Sequence, residues 1–143
     1  ASPVTLIDDK GGGEVVYFGT SSASGLQAGA LYYLNELGGW ASSSAATASA
    51  GPTRGGSNQL LGISLGTNPS QDGMLIRGYF HVDAYFTGPG FKKGRPIYMA
   101  TSSAKFQSTT PTASGNFVRV LGYATDTGNV IYFNPDSTYI ELA

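Results

Sequence analysis

Apolar and polar positions alternate with a period of two along much of the chain, most clearly over residues 74–83, Met-Leu-Ile-Arg-Gly-Tyr-Phe-His-Val-Asp. An extended backbone places Met74, Ile76, Phe80 and Val82 on one face, with Gly78 between them, and Arg77, Tyr79, His81 and Asp83 on the other. That pattern predicts a half-buried strand. Short segments rich in β-branched or aromatic residues, bounded by Gly, Pro, Asn, Asp or Ser, predict further strands at 14–19, 30–34, 60–65, 96–100, 117–125, 130–133 and 138–142. The intervals hold turn formers. Residues 126–129 read as a tight hairpin loop in which Gly128 supplies a positive φ, 68–73 as a similar connection, and 134–137, Asn-Pro-Asp-Ser, as a turn. Residues 41–50 are rich in Ala and Ser but lack any large apolar residue, so they predict a loop with at most one helical turn, running on into 51–59. The expected fold is all-β, a small sandwich or barrel of about eight short strands.

Self-similarity recurs at a spacing of about 60 residues. Gly29-Ala-Leu-Tyr-Tyr-Leu34 matches Gly94-Arg-Pro-Ile-Tyr-Met99, and Leu61-Gly-Ile-Ser64 matches Leu121-Gly-Tyr-Ala124. Each pair is followed by a polar turn and a third strand, beginning near Met74 in one copy and Val130 in the other. The chain therefore reads as an internal duplication of a three-stranded unit, neither copy of which could bury its apolar face alone.

Composition narrows the function. A length of 143 residues suffices for one core without disulfides or a structural metal. The organisation expected is an N-terminal arm over residues 1–13, with Gly11, Gly12 and Gly13 as a flexible joint, and a single β-domain over 14–143. Net charge is −1 and only Lys92, Lys93 and Arg95 cluster, which does not supply the many phosphate contacts of a nucleic-acid surface. There is no cysteine, hence no thiol nucleophile or thiolate metal site, and one histidine cannot make a His cluster. No apolar run approaches the roughly 20 residues of a helical membrane span, and the first residues lack the basic and apolar blocks of a signal peptide. Neither a cofactor nor membrane insertion is expected.

Candidate chemistry is sparse. His81 and Asp83 share a strand face, but no Gly-x-Ser-x-Gly elbow accompanies them. Asp8 and Asp9 form the only adjacent acidic pair and would point to opposite sides of an extended segment. Gly11 to Gly13 lack the Lys-Ser/Thr sequel of a phosphate loop. The expectation is a non-enzyme. Trp40, Phe86 and Phe91 lie in Gly-rich loops, where aromatic rings either contact a receptor or subunit or cap the ends of the barrel, and the burial that a Gly-rich chain needs favours packing. Arg77 and Arg119, assigned to outer strand faces, are candidates for intersubunit ion pairs.

One ordered set of motifs goes further: Glu14-Val-Val-Tyr-Phe-Gly-Thr20, Gly29-Ala-Leu-Tyr-Tyr-Leu34 with Gly39-Trp40, Leu60-Leu-Gly-Ile-Ser-Leu-Gly-Thr67, Asp72-Gly-Met-Leu-Ile-Arg-Gly78, and Val118-Arg-Val-Leu-Gly-Tyr123 with Ile131-Tyr-Phe-Asn-Pro-Asp136. Together they resemble a domain of virion structural proteins from tailed bacteriophages, over nearly everything from residue 14 onward. The resemblance implies a non-enzymatic component of an extracellular particle, commonly a homotrimer, contacting other virion proteins. In that group such domains form the C-terminal part of tail fibres or spikes that meet a host surface glycan or protein, while related β-domains decorate capsids. The family brings no catalytic residues. A capsid or capsid-decoration protein stabilising the shell, and a secreted carbohydrate-binding module, are the alternatives.

Overall fold

The computed structural model describes residues 11–21, 24–45, 59–87, 91–102, 104–113, 116–126, 128–136 and 140–141. Twelve strands are formed: β1 (Gly11–Val16), β2 (Leu31–Leu34), β3 (Trp40–Ser42), β4 (Leu61–Ser64), β5 (Met74–His81), β6 (Phe86–Thr87), β7 (Pro96–Met99), β8 (Phe106–Gln107), β9 (Phe117–Val118), β10 (Val120–Ala124), β11 (Val130–Phe133) and β12 (Ile140–Glu141). The described residues contain no helix. Ten strands join one curled sheet in the order β3-β2-β4-β5-β11-β10-β7-β8-β6, with β1 added on β5, while β9 and β12 pair separately. Among the described strands only the pair β6 and β8 runs parallel. The all-β expectation holds, as a half-barrel.

The order reads alike outward from its middle. On one side of the β5–β11 seam come β4, β2 and β3, and on the other β10, β7 and β8. The repeat seen in the sequence lies in these two units, down to individual hydrogen bonds. Gly29 N–H donates to the Ser64 carbonyl as Gly94 N–H does to Ala124, both at 2.8 Å, and Ser64 N–H bonds back to Ala30 as Ala124 N–H does to Arg95. Leu31 faces Ile63 and Tyr32 faces Gly62, just as Pro96 faces Tyr123 and Ile97 faces Gly122.

β5 carries three partners: β1 from Met74 to Phe80, β4 at Met74 and Leu75, and β11 from Gly78 to His81. A strand has two edges. With β1 along one of them, β4 and β11 divide the other, and the sheet forks into two wings. Between Glu14 and Val15 the β1–β5 register shifts and Ile76 is left without a partner, which makes it a β-bulge. An odd separation should put Leu75 and Phe80 on opposite faces, yet both lie in the main core, because the bulge reverses the alternation. The predicted faces thus hold from Arg77 onward, with Phe80 and Val82 buried, and fail before it. Ile76 is half-buried beside the fork, and Met74 is buried on the reverse side of the first wing.

The main core fills the space between the wings, with Phe80, Phe106, Phe133, Leu31, Ile63 and Ile97 fully enclosed and the Phe106 and Phe133 rings edge to face at 6.2 Å. A second cluster of Leu26, Ala30, Tyr32, Trp40, Met74 and Ala104 covers the back of the first wing. Burial pushes the Tyr32 phenol above its usual 10.0, against the lowering effect of the Gln27 N–H that bonds its oxygen.

Several local expectations are corrected. Gly11, Gly12 and Gly13, read as a joint, form the first half of β1, since pairing with β5 supplies the order that three glycines lack by themselves. In the hairpin after β10 it is Asn129 that takes the positive φ, 62°, a conformation asparagine tolerates better than most side chains. Residues 134–136 do not yet turn: Asn134 N–H bonds to Leu121 and Asp136 N–H to Val120, so the chain continues beside β10. Residues 117–125 divide into β9 and β10 at Arg119. The Ala/Ser-rich stretch contributes Ala41 and Ser42 to β3, and residues 46–58 lie outside the described residues, as do residues 1–10 of the arm expected over 1–13.

Candidate binding face

The backs of the two wings differ. The first is covered by the second cluster, whereas the second carries tyrosines in water. Tyr79 on β5 stands directly opposite Tyr132 on β11, and Tyr132 directly opposite Tyr123 on β10, with Pro96 of β7 next in line. Three rings therefore cross three adjacent strands in one row, at 39%, 36% and 50% exposure. The Tyr79 and Tyr132 centroids are 5.5 Å apart and their planes tilt by 55°. Cross-strand neighbours of this kind support each other's orientation. Behind the row, Gly78, Phe133 and Gly122 alternate with it on the inner face, so the scaffold that positions the tyrosines is the fully packed part of the sheet.

Polar groups flank the row. Two residues along β5 from Tyr79, Arg77 donates to the Glu14 carboxylate at 3.1 Å across the β1–β5 pair, with both side chains more than half exposed. Asn134, two residues beyond Tyr132, is exposed on the same side. Half-buried His81 flanks Tyr79 at the other end, opposite Val130, and Asp83 is exposed past the strand end. At the fork itself a cleft of about 200 Å³ opens beside the row, lined by Glu14, Leu60, Ile76, Arg77, Arg119 and Asn134.

The residues singled out from sequence scatter. Trp40 is 4% exposed in the second cluster, its indole N–H donating to the Phe18 carbonyl at 2.9 Å and its ring stacked on Phe18, so it packs rather than contacts a partner. Phe86 and Phe91 are half-buried against the main core with centroids 6.1 Å apart. Arg77 is exposed, but its ion pair lies within the chain.

Arg119 corrects its assignment outright. It sits where β9 gives way to β10, is 8% exposed, and donates from Nε to the Asp136 carbonyl at 2.7 Å and from Nη1 to the Gln59 carbonyl at 2.9 Å. The guanidinium fork thus ties the approach to β4 to the chain beyond β11. Arg119→Lys should lower stability by about 1.5–3 kcal/mol, the range for charged hydrogen bonds, because the two bonds leave from separate nitrogens, Nε and Nη1, and a single ammonium nitrogen cannot stand in both places. Urea unfolding of both proteins measures it, and a difference under about 0.5 kcal/mol would show that the fork is dispensable.

Among the described residues no group of three or more His, Cys, Asp or Glu side chains is placed to hold a metal ion. The tyrosine row was missed in the sequence because only Tyr79 has an evident outward position: Tyr123 and Tyr132 face each other across the β10–β11 hairpin, and that hairpin joins Tyr79 only through its pairing with the distant β5. No protein-family model, curated protein or solved structure matches the chain.

Proposed function

We propose that the chain is a non-enzymatic structural domain of a tailed-bacteriophage particle, carried on a tail-fibre or spike-type appendage and used, as a homotrimer outside the host, in attachment. The observation that carries the reading is the row Tyr79–Tyr132–Tyr123, kept in water on the back of a rigid wing. Apolar area that folding could have covered, as it did on the first wing, is the mark of a contact surface. The ordered motifs that resemble phage virion domains supply the setting, and an all-β frame of short strands suits it.

Antibody against the chain, applied to particles and viewed by negative stain, is expected to label the tail tip. Sedimentation equilibrium of the isolated chain is expected to give three times the monomer mass. Label spread over the head would move the chain to capsid decoration, and no label on any particle would end the virion reading.

A further inference from the structure

We propose that the tyrosine row is a glycan-binding site, in which Tyr123, Tyr132 and Tyr79 stack on successive pyranose rings of one extended oligosaccharide. It rests on the reading of this face as the contact surface and names the ligand that the face would take. A pyranose presents a face of C–H groups and an edge of hydroxyls, so its site needs an aromatic face with polar groups beside it. Both are present. The strands that carry the rings lie about 4.8 Å apart and the Tyr79 and Tyr132 centroids 5.5 Å, close to the advance of one unit in an extended β-linked chain. Beside them, Arg77, Glu14 and Asn134 offer donors and acceptors to the hydroxyl edge, the first two held by the β1–β5 pair and Asn134 by its N–H bond to Leu121. Tyrosines mounted on paired strands have little freedom left to lose on binding.

The other occupants fit less well. The three rings together leave roughly 250 Å² in water, reckoning about 200 Å² for a whole tyrosine. That is well short of the ~800 Å² per partner of a stable protein interface, so the row by itself does not make a subunit contact. Single-stranded nucleic acid also stacks on aromatic rings but requires a positive groove along its phosphates, whereas the cation beside Tyr79 is already paired with Glu14 and the chain carries a net charge of −1. A crystalline polysaccharide face needs a flat platform of coplanar rings, and the 55° tilt between Tyr79 and Tyr132 excludes that.

The test uses the whole chain on an array of bacterial O-chains and capsular polysaccharides together with cellohexaose, chitohexaose and maltohexaose, followed by calorimetric titration of whatever binds. Binding is expected to at least one of them. Tyr132→Ala, which removes the central ring, should weaken it roughly tenfold or more, as stacking losses do, while Tyr132→Phe stays within about threefold. Because Tyr132 is exposed on its outer side, both variants should unfold at temperatures close to the parent, and that is checked first. No binding anywhere on the array overturns the proposal, as does binding that Tyr132→Ala leaves unchanged. So does self-association that Tyr132→Ala abolishes, which would give the face to a second copy. Glycan binding without any label on particles would sink the virion reading and leave this one standing, and label at the tail tip without glycan binding would do the reverse.

Discussion

Phe80→Ala is expected to cost the domain about 3–5 kcal/mol, and His81→Ala under 1 kcal/mol, although the two residues are adjacent. Phe80 is wholly enclosed in the main core, directly opposite Ile131 on one side and Gly11 on the other. Truncation leaves a cavity between two wings that are each held in register by backbone bonds, so the walls cannot simply close over it. Since a domain of this size has about 5–15 kcal/mol in all, the variant should sit at or near the edge of folding. His81 stands half-buried on the reverse face. Urea denaturation followed by tyrosine and tryptophan fluorescence gives both values. Equal, small losses would mean that the bulge at Ile76 does not reverse the alternation and that the faces after it are assigned the wrong way round.

Gly122→Ala should be nearly as damaging, about 2–5 kcal/mol, from a single methyl group. Its backbone lies at φ +157°, and a Cβ there would collide with the Tyr132 carbonyl oxygen on the paired strand. The methyl could be admitted only by moving β10 off β11 or by changing φ, and both break the ladder that carries Tyr123 beside Tyr132. Gly128, in the connection just beyond, is the control: nothing lies within 4 Å of its would-be Cβ, and Gly128→Ala should change stability by less than about 0.5 kcal/mol. Thermal and urea unfolding of the pair decide the matter. A tolerated alanine at 122 would show that β10 and β11 are not locked in the register described.

Much of this frame was legible. Residues 130–133 match β11 residue for residue, because a short run of β-branched and aromatic residues, Val-Ile-Tyr-Phe, is bounded by turn formers on both sides. The repeat was legible for a physical reason too: Gly29 and Gly94 each begin a unit by donating to the end of its second strand, so the same short motif is needed twice. The bulge was not, for Ile76 is an ordinary strand residue and its extra place is imposed by β1. Nor were β3, β6 and β8, two or three residues long, which are strands only because neighbours pair with them. Arg119 was turned the wrong way because period-two counting assumed one continuous strand through 117–125. The candidate face suffered most. Tyr123 and Tyr132 share a local hairpin, but Tyr79 is brought beside them by pairing across more than forty residues.

The like order of the two wings has a consequence for how such a chain can change over generations. Both carry the same pattern of main-chain bonds, yet one has committed its back to a second hydrophobic cluster and the other has not. The first wing is therefore mutationally rigid on both faces, since any change at Tyr32, Trp40 or Met74 is felt as lost packing. The second can exchange Tyr79, Tyr132 or Tyr123 for other side chains at little cost to folding, because only its inner face is held. A scaffold divided in this way separates what must be kept from what is free to vary, and lets the side chains of one face change while the core stays fixed.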